Sequence, residues 1–99
     1  MYRVTIALIL VFNLYNAFSQ DTIYLNSNFE EVSKTDNFIH FKIILKLNSD
    51  TIERLFDKSG KIQSEKIYSD YSKRVFNGIS KEWHDNGTLK SQINYRNGN

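Results

Sequence analysis

The sequence predicts an all-β protein, a meander of antiparallel hairpin repeats that follows an N-terminal signal-peptide helix. Three observations support this fold class. Apolar and polar residues alternate along most of the chain after residue 20, which is typical of strands with one covered face. Each of the four glycines follows Ser or Asn, as in hairpin turns. The end of the chain also repeats a pattern found in its middle, which indicates a repeat architecture.

Residues 1–19 have the features of a secretory signal peptide. Arg3 gives a positive start, residues 4–12 form an almost unbroken apolar run, and residues 17–19 provide small side chains at positions −3 and −1. We therefore expect cleavage before Gln20 and export to the periplasm, the cell envelope or the exterior. An uncleaved anchor is the alternative, although the run is shorter than the about 20 apolar residues that cross a bilayer.

The segment 20–53 is predicted to form N-terminal strands that include a hairpin. Residues 39–47 alternate most clearly, as a strand with one buried face does. The predicted buried face carries Ile39, Phe41, Ile43, Leu45 and Leu47, and the polar face carries His40, Lys42 and Lys46. A turn at residues 48–50 then leads into a returning strand at residues 51–56.

The segment 54–99 contains two copies of one unit, at residues 54–69 and 78–99. In residues 56–68 and again in residues 83–95, an aromatic residue, a polar turn with Gly, an aliphatic residue, Ser and a closing Tyr recur in the same order. A unit this short cannot bury its own face and packs against its neighbours.

Glycine pairs mark the predicted turns of these units. Type I′ hairpin turns need positive φ at both central residues, which Asn tolerates and Gly adopts freely. We expect strands at residues 79–85 and 88–96, with Leu89 on the same face as Tyr95, and a loose connection at residues 69–76. The predicted turn residues are Gly60, Asn77, Gly78, Asn86, Gly87, Asn97 and Gly98.

A fainter third copy of the unit is a hypothesis for the start of the domain. Residues 24–28 match residues 56–60 if Asn28 takes the left-handed conformation predicted for Gly60. The residues that follow diverge between the two segments.

Residues 78–98 resemble the MORN-repeat variant family. The family pattern is, loosely, Gly, a short strand ending in Glu and two aromatic residues, Asn-Gly, Leu-Lys-Ser, and a strand ending in Tyr. Trp83 fits the first aromatic position, and His84 replaces the second. Residues 56–68 match more loosely. The resemblance implies a MORN-like repeat β-sheet, and no catalytic residue carries over from it.

The same resemblance bears on cellular context. A signal peptide followed by such repeats is similar to exported proteins of Bacteroidetes-type bacteria. Proteins with these repeats are often described as antitoxin components of toxin–antitoxin systems. That role fits poorly here, because an exported antitoxin could not meet a cytoplasmic toxin.

Composition argues against several classes of function. Without Arg3, 12 basic residues stand against 11 acidic ones, and their even spread argues against a nucleic-acid-binding surface. The only histidines are His40 and His84, and there is no Cys, so no metal site or cofactor is expected. No nucleophile motif or phosphate-binding loop occurs, so we expect no enzymatic activity.

Four aromatic residues at matching repeat positions are the candidate core or interaction residues: Phe56, Tyr68, Trp83 and Tyr95. One interpretation is that they stack between neighbouring hairpins as core. The other is an exposed aromatic ladder that contacts glycan, peptide or lipid, since Tyr and Trp are common interface anchors.

We therefore expect a non-enzymatic exported module that mediates protein–protein contact in a bacterial envelope. The alternatives are binding of envelope lipid or glycan through an aromatic face, and a truncated fragment of a longer repeat protein. Because Asn97-Gly98 should lead into another strand, an unprotected C-terminal strand is expected to pair with another chain or with a missing continuation of this one.

Overall fold

The computed structural model describes residues 18–99, and it shows eight strands in one antiparallel sheet. The strands are β1 (Phe18–Leu25), β2 (Glu31–Val32), β3 (His40–Leu47), β4 (Asp50–Asp57), β5 (Ile62–Asp70), β6 (Val75–Phe76), β7 (Gly78–Trp83) and β8 (Leu89–Tyr95). The predicted all-β fold of antiparallel hairpins is confirmed. Within residues 18–99, no helix is long and apolar enough to span a membrane. The predicted signal peptide lies outside these residues, apart from its last two, which begin β1.

The strand order across the sheet is β2-β1-β3-β4-β5-β7-β8, and β6 pairs with β5. Every pairing is antiparallel, so neighbouring strands of the sheet run in opposite directions, and β1, β4 and β7 all point the same way. The turns that follow β1, β4 and β7 therefore lie at the same end of the sheet. Two of these turns touch, because the Lys61 ammonium donates a hydrogen bond of 2.8 Å to the Asp85 carbonyl.

The two faces of the sheet follow from the register of the strands. Directly paired residues point to the same face, and successive residues alternate between faces. By this rule the four buried residues, Leu25, Ile44, Thr51 and Tyr68, share one face. We call it the core face. The opposite face, which carries the stacked rings of Phe41 and Phe56, is called the aromatic face.

The predicted buried face of β3 is wrong. Ile44 on the core face is buried, whereas Phe41 on the aromatic face is half-buried and Leu47 is exposed. Ile39 lies before β3 and is also exposed. Alternation along one strand identifies two faces, but which face is covered depends on side chains that β1, β4 and β5 contribute.

The hairpins β4–β5 and β7–β8 turn in the same way. The Gly60 N–H donates to the Asp57 carbonyl, and the Asp57 N–H donates to the Lys61 carbonyl, both at 2.9 Å. The second hairpin repeats both bonds 27 residues later. Gly60 and Gly87 have positive φ, but Asn86 does not, so each turn fits a type I turn closed by a left-handed glycine. The type I′ prediction is therefore wrong for these two turns. It fits Asn97 and Gly98, which have φ +50 and +94 between the reciprocally bonded Arg96 and Asn99.

Asn77-Gly78 is not a hairpin turn, and that prediction is also wrong. Both β6 and β7 pair with β5, so Asn77 and Gly78 form a bulge between two halves of one strand. Gly78 has φ +90, a backbone conformation that residues with a Cβ rarely adopt, which explains why glycine occupies the site. The last turn of the chain contacts this bulge, because the Gly98 N–H donates a hydrogen bond of 2.7 Å to the Phe76 carbonyl.

The loose connection predicted at residues 69–76 is shorter than expected. β5 continues to Asp70, and residues 71–74 alone form the turn into β6. Arg74 closes this turn with φ +56. The prediction missed the extra pairing because β6 contributes only two residues, too few to show a periodic pattern.

The turn after β1 supports a third copy of the hairpin geometry, in a different register from the one predicted. The Phe29 N–H donates to the Asn26 carbonyl, and the Asn26 N–H donates to the Glu30 carbonyl, both at 2.9 Å. Phe29, with φ +62, occupies the position of Gly60. The prediction that Asn28 does so is therefore wrong.

Both repeats also contain a bulge at the start of their second strand, and it changes the face on which one side chain lies. The pairing register shifts at the start of β5 and at the start of β8, which leaves Gln63 and Lys90 as extra residues. Leu89 consequently pairs with Trp83 on the aromatic face, while Tyr95 lies on the core face. The prediction that Leu89 and Tyr95 share a face is wrong for this reason.

Candidate interaction surfaces

An apolar row crosses the aromatic face near the end of the sheet that carries the equivalent turns. It takes one residue from each long strand: Tyr24, Phe41, Phe56, Ile62, Trp83 and Leu89. The Phe41 and Phe56 rings stack with centroids 5.1 Å apart and planes 13° apart. None of the six residues is buried, and Leu89 is 49% exposed. This row is a wide, half-solvated apolar surface.

A second aromatic group lies on the core face, at the far end of the repeats. Phe76 lies between Tyr68 and Tyr95, with ring centroids 4.9 Å and 4.8 Å away. Tyr68 is only 3% exposed, so these rings form core at this position. Phe76 is not among the four predicted aromatic residues, although it stands directly before the Asn-Gly pair that forms the bulge.

The four aromatic residues predicted from the repeat therefore separate into two pairs. Phe56 and Trp83 lie on the aromatic face, and Tyr68 and Tyr95 lie on the core face. The stacking hypothesis fits the second pair through Phe76, and the exposed-ladder hypothesis fits the first pair better.

A polar cluster on the core face joins β3, β4 and the turn after β5. The Tyr71 hydroxyl donates a hydrogen bond of 2.6 Å to Glu53 Oε2. Lys42 Nζ lies 3.3 Å and Arg74 Nη1 lies 3.7 Å from the same oxygen. Burial alone would raise the pKa of Glu53, but the Tyr71 hydroxyl and the Lys42 ammonium outweigh it, so its pKa lies below the ordinary value.

Arg74 connects this cluster to the aromatic core. Its guanidinium lies 4.5 Å from the Tyr71 ring centroid and 5.5 Å from that of Tyr68, within cation–π range. Burial and the hydrogen bond to Glu53 raise the pKa of Tyr71. The arrangement anchors the turn at residues 71–74 to the sheet, and we assign it a structural role.

The outer edge of β8 is a third surface. Within residues 18–99, no strand pairs with β8 on the side away from β7. Residues 91–95 contain no charge and no proline, while Lys90 and Arg96 flank them and are exposed. A shallow concavity of about 200 Å³ beside this edge is lined by Phe76, Ser80, Ile93, Tyr95 and four charged or polar neighbours.

The histidines and serines do not assemble a reactive site. His40 stacks on Phe29 with ring centroids 4.8 Å apart, and His84 begins the turn after β7. Ser64 and Ser91 pair with Glu82 from the strands on its two sides. Neither serine is paired with a histidine that could act as a general base. The part of the chain that the structure describes holds no cluster of three metal-ligating side chains.

The geometry defines a class of protein, an open antiparallel sheet in which equivalent hairpins lie side by side. The family model described as the MORN repeat variant matches residues 50–70 and again residues 76–97. These two segments are MORN repeat variants: the first spans β4 and β5, and the second spans the interrupted strand β6–β7 and β8. No curated protein and no solved structure matches the chain significantly.

The family match narrows function only coarsely. MORN repeats generally mediate contacts with proteins or membranes, and the family is not known for enzymatic activity. These general properties agree with the surfaces described above, which are a half-solvated apolar row and an unpaired strand edge.

Proposed function

We propose that this chain is a non-enzymatic, exported module that mediates protein–protein contact in a bacterial envelope, with the outer edge of β8 as its docking surface. The observation that carries the proposal is the unpaired stretch at residues 91–95. Edge strands usually carry charges, prolines or bulges that prevent pairing with other chains. Residues 91–95 contain no charge, no proline and no bulge, and the bulge of β8 lies before them, at Lys90.

Backbone geometry identifies which groups the edge offers. The His84 N–H donates to the Thr88 carbonyl at the hairpin closure, and hydrogen-bonded and non-bonded pairs alternate from there. Allowing for the bulge at Lys90, the N–H and C=O groups of Gln92 and Asn94 point away from β7. An extended partner segment can pair with these groups as an added strand.

Site-specific photo-crosslinking in envelope preparations tests the docking surface. A photoreactive residue at Gln92 is expected to give a discrete protein adduct. Asn94→Pro removes one outward N–H without touching the ladder to β7, so it should abolish the adduct, whereas the control Asn94→Thr should keep it. An adduct that survives Asn94→Pro would overturn the proposal.

Export is tested separately with a reporter enzyme that is active only outside the cytoplasm. Residues 1–25 fused to alkaline phosphatase are expected to give activity, and Leu8→Arg should abolish it by interrupting the apolar run. Activity equal in the two fusions, or absent from both, would contradict export by a signal peptide.

The apolar row on the aromatic face supports a second candidate, binding of envelope lipid or glycan. Half-exposed Trp and Tyr side chains suit such contacts. In liposome and peptidoglycan sedimentation, this function requires that Trp83→Ala loses retention while Asn94→Pro keeps it. The opposite pattern, or no retention of the unmodified chain, would remove this candidate.

A further inference from the structure

We propose that the β8 edge selects an extended segment with acidic side chains, added antiparallel as one further strand and supplied by another protein. This inference rests on the proposed function, and it specifies the chemistry of the partner. It follows from the charges at the two ends of the edge and from the apolar contact between them.

The charges that flank the edge are both positive. Lys90 and Arg96 are exposed, and neither forms an ion pair with another residue of the described chain. They stand six residues apart, which is about 20 Å along a strand. No acidic residue occurs between Thr88 and Asn99, and the nearest carboxylate across the ladder, that of Glu82, lies one strand inward.

Between the two charges the edge offers an apolar contact on the core face. Ile93 is 49% exposed, and with Tyr95 it lines the concavity beside the edge. In that concavity the Ser80 hydroxyl is buried without a hydrogen-bond partner among the described residues. A partner residue opposite Ile93 would direct its side chain to the same face and cover it.

These positions define a pattern for the partner. Asn99 is bonded to the outward N–H and C=O of Arg96 over 3.3 and 3.2 Å, so an antiparallel partner must displace Asn99 there. Its residues opposite Arg96, Ile93 and Lys90 then follow one another at intervals of three. The expected partner segment therefore has seven residues: an acidic residue at each end, an apolar residue in the middle, and two variable residues on either side of the apolar one. Proline is excluded where the partner must donate to Gln92 or Asn94.

A second copy of the chain is a poorer occupant of the same edge. If two β8 strands paired about a two-fold axis at Ile93, Lys90 of one copy would lie opposite Arg96 of the other. Like charges directly opposite each other destabilise a strand pair. The edge therefore favours a segment of opposite charge over itself.

Fluorescence anisotropy with the purified full chain tests the selectivity. The probe is a labelled nine-residue peptide, Thr-Glu-Thr-Thr-Val-Thr-Thr-Glu-Thr, and its matched control has both Glu replaced by Lys. The acidic probe is expected to bind on the order of tenfold more tightly at low salt, and 0.5 M salt should remove the difference.

Charge reversal provides the decisive comparison. The double variant Lys90→Glu with Arg96→Glu should prefer the basic peptide, because both exposed charges change sign while the backbone edge is unchanged. Equal binding of both peptides by the unmodified chain would overturn acidic selectivity. So would an unchanged preference in the double variant.

Further arms separate this inference from the proposed function. Binding without charge preference that Asn94→Pro abolishes would overturn the acidic partner and leave edge docking intact. If neither peptide binds, and no crosslinked adduct at Gln92 is lost on Asn94→Pro, both the acidic partner and the docking at the β8 edge would be overturned. Sedimentation showing dimers that Asn94→Pro dissociates would identify a second copy as occupant and overturn the acidic segment.

Discussion

The hydrogen bond between Tyr71 and Glu53 makes a specific prediction about stability. Tyr71→Phe removes the hydroxyl that donates over 2.6 Å to Glu53 Oε2. The phenyl ring keeps its edge contact with Tyr68, whose centroid lies 5.0 Å away. The substitution therefore separates the contacts of this one hydroxyl from the packing of the ring.

The expected loss follows from the environment of that bond. A hydrogen bond to a charged group contributes about 1.5–3 kcal/mol. The Glu53 side chain is only 12% exposed, so solvent screens it little, but Lys42 and Arg74 remain as partners after the substitution. We therefore expect the lower part of that range, about 1.5–2 kcal/mol, or roughly 6–16 °C in melting temperature.

Urea unfolding followed by the fluorescence of Trp83, the single tryptophan, measures the loss. Tyr95→Phe is the matched control, because its ring also packs on an aromatic neighbour and its hydroxyl makes no hydrogen bond with the described residues. The control should change the free energy of unfolding by less than about 0.5 kcal/mol. Equal losses in the two variants would show that the Glu53 bond contributes nothing specific.

Three further measurements test other parts of the structure. Because the pKa of Glu53 is lowered, the stability it contributes is present above its ordinary pKa of 4.5 and is lost as pH falls through the lower folded value. Acid should therefore cost the unmodified chain more than Glu53→Gln, and parallel curves would contradict this. Gly60→Ala and Gly78→Ala should each cost about 1–2 kcal/mol through positive φ, because a Cβ meets nothing within 4 Å at Gly60 and makes an ordinary contact of 3.4 Å with Ile67 Cδ1 at Gly78; a melting temperature unchanged by either substitution would refute this reasoning. Trp83→Ala should cost about 1–2 kcal/mol, since the ring is half-buried, and a loss above 3 kcal/mol would place it in the core.

The strands of the repeats could be predicted from the sequence because their signals are local. Alternation of apolar residues in β3 and the glycine turns after β4 and β7 depend only on near neighbours. The 27-residue echo then indicated that the two hairpins are equivalent, which the family match confirms. Turn type was harder, since Asn-Gly fits several turns and only the hydrogen bonds of Gly60 and Gly87 distinguish them.

The covered face and the bulges could not be predicted, because both depend on distant pairing. Ile44 is buried whereas its neighbours Ile43 and Leu45 are only half-buried, and no pattern within β3 shows this. Asn77-Gly78 has the same composition as a hairpin turn, yet β5 continues past it on both sides. One extra residue at Lys90 was enough to move Leu89 to the opposite face.

The candidate surfaces were predictable to different degrees. The unpaired C-terminal strand was expected from the Asn97-Gly98 pair, and β8 has no outer neighbour within residues 18–99. The cluster of Glu53, Tyr71 and Arg74 was not expected, because Glu53 is 18 residues from Tyr71 and meets the turn at residues 71–74 only through the register of β4 and β5.

The bulge at the start of β5 and of β8 has a consequence for how such a sheet can lengthen. The extra residue shifts the alternation of side chains between the two faces once in every repeat. Each hairpin therefore places one repeat aromatic, Phe56 or Trp83, on the aromatic face and the other, Tyr68 or Tyr95, on the core face. Duplicating the 27-residue module would widen both surfaces together, by two strand spacings or about 10 Å. Growth of the molecule would therefore extend the core face and the aromatic face by the same amount.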